Sequence, residues 1–232
     1  MWNTSLHSNM NFPAPVAVLA FLTAGGGGIL VVLGILIAMF VRKPKFAALL
    51  MKLAGVAAVI YFILLLGFSL GSREAVLVPG QEKYFCEIDC HLAYTVLDAK
   101  TIPDAGAERY KITVRTRFDE ATISSQRPKD YPLSPSPRTV VLTDHQGNRY
   151  APAATAGTPL AASLTPGQSY TTELDFRVPS GAKGLKLLIS TTPGWPDQFV
   201  IGDENSWLHK KTYFQVEMPG SVQSLNREPA GN

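Results

Sequence analysis

Two stretches of the chain are almost uninterruptedly apolar, and beyond the second of them apolar and polar positions mostly alternate. From Val16 to Val41 no side chain is charged, and the run VAVLAFLTAGGGGILVVLGILIAMFV exceeds the ~20 residues an α-helix needs to cross a ~30 Å hydrocarbon layer. The run from Phe46 to Leu70 carries a single charge, Lys52, near its start, where a flexible stem lifts the ammonium toward the headgroups. Between the runs, Arg42-Lys43-Pro44-Lys45 leaves room only for a turn, so the pattern predicts an antiparallel membrane α-helical hairpin. Gly25 to Gly28, with Ala20, Ala24 and Gly28 spaced by four and Ala54 and Ala58 likewise, predict a small-residue stripe that packs this hairpin.

After Leu70 the period becomes two. In Tyr84 to Val96 the even positions read Tyr84, Cys86, Ile88, Cys90, Leu92, Tyr94 and Val96, and the odd ones include Glu87, Asp89, His91 and Thr95, which predicts one strand with a buried face. Tyr110, Ile112, Val114 and Thr116 repeat the alternation. Further strands are expected at Thr139 to Leu142, Arg149 to Pro152, Tyr170 to Val178, Leu185 to Thr191 and Thr212 to Val216. Short strands separated by turns such as His145-Gln146-Gly147-Asn148 and Thr165-Pro166-Gly167 imply an antiparallel β-sandwich. The proline-rich run from Arg127 to Pro137 cannot join a central ladder and reads as a surface connection. The division expected is an outward tail over 1–14, a two-helix hairpin over 15–71 (helices 16–41 and 46–70), a sandwich over 72–218, and a polar, disordered tail over 219–232.

Charge then orients the hairpin. Residues 1–70 hold four basic side chains (Arg42, Lys43, Lys45, Lys52) and no acid, and the rest holds 17 basic and 18 acidic, so the net +3 is +4 from the hairpin and −1 from the remainder. The basic surplus belongs to an apolar segment, which excludes a nucleic-acid-binding surface as the reason for it. Cations beside the turn are retained in the cytoplasm during insertion. The expectation is an integral cytoplasmic-membrane protein with both termini and the C-terminal domain extracytoplasmic. A cleaved signal peptide is the competing reading of the first run, against which stands the missing positive n-region. The membrane itself and an envelope protein or ligand are the expected partners, and no cofactor is expected.

The succession YKITVRTRFDE, VVLTDHQGNRYAP, LTPGQSYTTELDFRVPSGAKGLKLLIS and IGDENSWLHKKTYFQV resembles the bacterial extracytoplasmic immunoglobulin-like domains of unknown function that occur as lipoproteins or membrane-anchored modules. The likeness rests on a strand ending in Leu142, Asp144 and a turn at Gly147, and on a Pro166-Gly167 turn before an apolar strand that closes on Val178-Pro179. It implies an immunoglobulin-like sandwich held at the membrane.

Cys86-Glu87-Ile88-Asp89-Cys90-His91 carries the chemical potential of the chain, and several readings are open. In an extended strand residues four apart are separated by ~13 Å, beyond the ~7 Å limit for a disulfide, and both thiols would point into the core. An oxidising compartment favours instead a local disulfide, which forces a turn. Cys-x-x-x-Cys-His is similar to a lengthened c-type haem attachment motif, and Cys86, Cys90 and His91 would be the metal ligands. Two helices followed by an outward β domain suggest the copper subunit of terminal oxidases, but Tyr94 and Leu97 stand where that pattern needs His and Met. Glu87, Asp89 and His91 project from the opposite face, as candidate ligands for a divalent ion or as a solvated stripe. Hydrolase and phosphate-loop motifs are missing from the sequence, and no catalytic residue is assigned. Trp195 and Trp207, in an irregular stretch, are expected either to plug the sandwich end or to offer a binding surface. The three function classes left are a non-enzymatic binding or assembly module, a redox or metal protein, and an accessory subunit of a membrane complex.

Overall fold

The computed structural model describes residues 7–86, 90–123, 128 and 130–216. Helix α1 (Ala14–Phe40) and helix α2 (Pro44–Leu70) have 27 residues each and start slightly earlier than the apolar runs. Pro15 and Pro44 occupy first-turn positions, where the missing N–H removes a donor the helix leaves unpaired anyway. At 1.5 Å per residue each helix is about 40 Å long. Both are long and apolar enough to cross a membrane. Arg42 takes a left-handed conformation (φ 55°). The N–H of Lys43 then donates to the Ala38 carbonyl at 2.8 Å, ending α1 before the chain reverses.

The helices do not pack through the glycine run. A Cβ added at Gly25, Gly26, Gly27 or Gly28 would meet no neighbour within 4 Å, whereas one at Gly34 would lie 3.2 Å from Leu50 Cδ1. The buried positions are Ala14, Ala17 and Ala38 on α1, and Ala47, Leu65 and Ser69 on α2. Close approach is set by these small side chains near the ends and by Leu50 against Gly34, so the expected stripe is left facing outward.

The rest of the described chain forms an immunoglobulin-like β-sandwich. Its strands are β1 (His7–Ser8), β2 (Ala75–Leu77), β3 (Glu82–Phe85), β4 (Leu92–Asp104), β5 (Ala107–Phe118), β6 (Arg138–Thr143), β7 (Arg149–Tyr150), β8 (Ala154–Gly157), β9 (Ser169–Pro179), β10 (Lys186–Thr191) and β11 (Thr212–Gln215). One sheet has the order β1-β3-β4-β5-β9-β8 and the other β2-β11-β10-β6-β7. Pairing is antiparallel through both, with a parallel pair at one edge of each: β1 beside β3, and β2 beside β11. Those two short edge strands lie just before α1 and just after α2, so both sheets are closed by chain that leads into the hairpin. Between the sheets pack Phe85, Tyr94, Phe118, Phe176, Phe214 and their aliphatic neighbours, each apolar on the inward phase of its strand.

The alternation across 84–96 does not run through one strand. Phe85 pairs with Leu92 and Tyr84 with Ala93, so β3 and β4 are two arms of a hairpin. Phe85 is inward on β3, while Leu92, Tyr94 and Val96 are inward on β4. The inward phase therefore switches from odd to even between them, at the segment that holds both cysteines.

The N-terminal segment is part of the sandwich from His7 onward. After β1, the Asn11 N–H donates to the Gly202 carbonyl at 2.9 Å, and Met10 bridges Asp203. Gly202 has φ +76°, and a Cβ there would lie 2.5 Å from Phe12 Cβ and 2.9 Å from Phe12 N. The proline-rich connection is tied at Leu133, which bridges Leu164 and packs on the core. The expected polar tail over 219–232 lies outside the described residues.

Two glycine substitutions should separate these environments. Gly202→Ala adds about 1–2 kcal/mol of left-handed strain to a backbone clash and should lower the thermal midpoint of the detergent-solubilised chain. Gly26→Ala, with open space at a helical position, should leave the midpoint unchanged or raise it.

Candidate functional site

A buried ion pair, Lys83 with Glu204, lies where the sandwich meets the hairpin. Lys83 alternates with Phe85 on the inward phase of β3 and is fully buried. Its ammonium donates to both carboxylate oxygens of Glu204, at 2.8 and 3.0 Å, and to the carbonyls of Ile189 at 2.7 Å and Thr212 at 3.1 Å. Ile189 is on β10 and Thr212 on β11, so one lysine of the first sheet ties two strands of the second and the loop between them. Burial pulls the Lys83 pKa down, and the Glu204 carboxylate pulls it back up. Arg138, at the same end of β6, lies with its guanidinium 4.4 Å from the Phe85 ring centroid and donates to Tyr94 Oη at 3.2 Å.

The segment between β10 and β11, residues 192–211, is built around that pair. Asp203 accepts the Asn205 N–H at 2.7 Å, while its carbonyl accepts from the Ser206 N–H and Oγ. The Glu204 N–H donates to the Asn9 carbonyl at 2.8 Å. Asn9 also holds the cysteine turn: its Oδ1 accepts the Cys86 N–H at 2.7 Å, and its N–H donates to the Tyr84 carbonyl. Burial raises the Asp203 carboxyl to about 7, with Asp197 and Glu204 adding to the rise and the Asn205 N–H opposing it.

Cys86 and Cys90 are bonded to each other, with Cα atoms 4.1 Å apart. The two cysteines thus stand within bridging distance, in place of an extended strand with two core thiols. In the disulfide neither sulfur is a thiolate, so the metal or haem reading of Cys86, Cys90 and His91 does not describe this arrangement. His91 is buried, with Nδ1 2.6 Å from Thr122 Oγ1 and its ring stacked on Phe118. It therefore does not share a solvated stripe; the other two positions of that stripe, Glu87 and Asp89, lie outside the described residues. Among the described residues no group of three His, Cys, Asp or Glu side chains is placed to hold a metal ion.

The tryptophans do not plug the sandwich. Trp195 is 78% exposed and sits 6.3 Å, ring to ring, from Phe21 of α1, while Trp207 is 44% exposed against Phe199. The same segment bonds to α2: Tyr61 Oη donates to the Phe199 carbonyl at 2.6 Å, and Ser69 Oγ lies 2.9 Å from Ser206 Oγ in a buried contact. At the other end of the sandwich, the turn after β6 and Pro179–Ala182 line an open cavity of about 300 Å³. The Asp144 carboxylate in it already accepts from Gln146, Asn148 and Tyr150, so it shapes the turn and has little left for a ligand.

Lys83, Glu204, Asp203 and Asn9 were not singled out by sequence reasoning. The one available sign was the polar cluster Asp203-Glu204-Asn205-Ser206 beside a tryptophan in a segment without period.

No family model matches the sequence, and no curated protein matches it. Among solved structures, the chain is similar to an uncharacterised β-sandwich protein from Clostridium difficile 630 at 12% identity, with 63% of this chain and 96% of the other covered and a TM-score of 0.37. It is also similar to the secreted protein MPT63 from Mycobacterium tuberculosis at 14% identity, covering 62% and 97%, with a TM-score of 0.38.

The buried charges make two outcomes testable. Glu204→Gln or Lys83→Met strands the partner charge and should cost about 3–5 kcal/mol in denaturant unfolding, whereas the double change Lys83→Met with Glu204→Leu should cost clearly less than either. Asp203 binds its proton more tightly folded than unfolded, so its contribution is complete below the ordinary 3.8 and is lost as pH rises toward about 7. The stability difference between the native chain and Asp203→Asn should therefore favour the native chain more at about pH 5 than at about pH 8.

Proposed function

We propose that this chain is a non-enzymatic binding or assembly module, anchored in a bacterial cytoplasmic membrane by α1 and α2 with its sandwich on the outer side. The observation that carries the reading is the interlock at the hairpin. The sandwich is bonded to α2 through Tyr61 and Ser69, and to the chain entering α1 through Asn9 and Asn11. A domain on a flexible tether would have no use for such contacts, while a platform that presents one end at a fixed height above a bilayer needs them. The basic bend, Arg42, Lys43 and Lys45, supports the orientation, because cations flanking a membrane helix stay on the cytoplasmic side. Loops at the end remote from the hairpin, including the turn around Gly147, are the surface this platform offers to an envelope protein or ligand.

The reading as accessory subunit of a membrane complex draws on a separate observation: among the described residues nothing packs against the face of α1 at Gly25–Gly28, which would admit a further helix. Co-purification in mild detergent separates the two, since a fixed stoichiometric partner retained through the hairpin alone favours the subunit.

Orientation is tested by labelling with a membrane-impermeant maleimide. Gln146→Cys should react in intact spheroplasts and Lys45→Cys only after permeabilisation; the reverse pattern would sink the outward assignment.

A further inference from the structure

The segment from Thr192 to Lys211 reaches well below the sandwich, down the outside of the hairpin. Lys210 N–H bonds to Ser72 Oγ at 2.8 Å, Ser206 Oγ meets Ser69 Oγ at 2.9 Å, and the Phe199 carbonyl meets Tyr61 Oη at 2.6 Å. As the segment runs back from Lys210 to Phe199, its partners descend α2 from the end of the helix toward the bend. Tyr61 is nine residues from the end of α2 at Leu70, about 13 Å along the axis, and Phe21, which meets Trp195, is seven residues into α1, about 10 Å. Two helices thus place the tip at the same depth.

A helix of about 40 Å exceeds a ~30 Å hydrocarbon layer by about 10 Å. Even if the whole excess stands on the sandwich side, Phe21 lies at the hydrocarbon boundary and Tyr61 just inside it. If the excess is shared between the two sides, both lie several ångströms deeper. The apolar side chains at this level point away from the protein: Trp195 is 78% exposed, with Leu19 and Leu22 of α1 at 63% and 59%. A tryptophan with this exposure, on a stalk beside helices whose own surface must be covered by acyl chains, is at the depth where indole rings are enriched.

We propose that the tip around Trp195 and Phe199 is a third membrane contact, seated in the headgroup–acyl boundary of the leaflet nearest the sandwich. Its partner is phospholipid. The proposal rests on the hairpin spanning the bilayer but not on which side the sandwich occupies. Insertion of the tip fixes the tilt of the sandwich, because two helices supply a line of support and the tip adds a point off that line.

The test uses the full chain reconstituted in phosphatidylcholine vesicles that carry bromine either near the headgroup end or near the methyl end of the acyl chains. The contribution of Trp195 is the difference in emission between the native chain and Trp195→Phe, which leaves Trp2 and Trp207 in place. A blue-shifted contribution, quenched more by shallow than by deep bromine, is expected. Leu33→Trp, midway along α1, is the control for spanning and should be quenched more by deep bromine. If the control is quenched and Trp195 is not, the tip proposal is overturned while the hairpin stands. If neither is quenched, the spanning reading fails and the proposal with it. Trp195 emission that ignores lipid bromine but changes with protein-to-lipid ratio would assign the tip to a second copy of the chain and likewise overturn the proposal.

Discussion

A lysine ammonium fully enclosed between two sheets has to be surrounded by acceptors or the sandwich does not close. Lys83 meets that demand with a carboxylate and two carbonyls drawn from β10, β11 and the segment joining them. Satisfying the charge therefore dictates where Glu204 goes. The position of Glu204 in turn fixes its own N–H on Asn9, and its neighbours Asp203 and Ser206 on the N-terminal segment and on α2. Removing the charge with a well-packed apolar pair would cost the sandwich less than stranding one partner, because a large part of the cost of a buried ion is its lost hydration. What the pair supplies that an apolar pair would not is direction: four contacts from one atom position a segment of about twenty residues that has little regular hydrogen bonding of its own.

The hairpin was legible because its signal is redundant. An uncharged run from Val16 to Val41 and another from Leu53 to Leu70, on either side of a basic turn, predict two helices of spanning length, and the helices begin earlier because proline is tolerated in a first turn. Strands β5 and β9 were legible because each keeps a single phase of alternation over its length, and β6, β10 and β11 because each is a short run of apolar, aromatic or β-branched residues. The run from Tyr84 to Val96 misled because two strands of opposite phase meet across a short loop. Cys86 and Cys90 preserve the even spacing across that loop, so the alternation looks continuous while the chain reverses. The short strands β1, β2 and β8 carry too few residues to show a period and take their form from the strands beside them.

The site was harder to read because its members are far apart in sequence and polar for a structural reason. Lys83 lies between Glu82 and Tyr84, and nothing local distinguishes a lysine that enters the core from one that faces water. Trp195 and Trp207 were visible as large aromatic residues in an irregular stretch, yet their environment depends on the hairpin running beside them. Burial in a core and seating against an apolar helix use the same side chain, and only the location of the segment decides between them.

The placement of the two sheets limits which recognition mode the proposed binding role could use. At the β1 and β2 edges the strands are two and three residues long and continue directly into the hairpin. At the far edges β7 has two residues and β8 four, and β8 ends at Gly157, where φ is +78° and a Cβ would meet the Thr171 carbonyl at 3.0 Å. Such short edges offer an added strand few ladder positions, which disfavours recognition by strand addition. The turn at the remote end is exposed at His145–Asn148 and makes no contact with the hairpin among those described. There Asp144 spends its carboxylate on Gln146, Asn148 and Tyr150, giving His145 and Gln146 a fixed backbone to stand on. Rigid turns on a sandwich bonded to its hairpin would lose little freedom if a partner docked there, so the proposed binding would need less contact area than the same turns on a tethered domain.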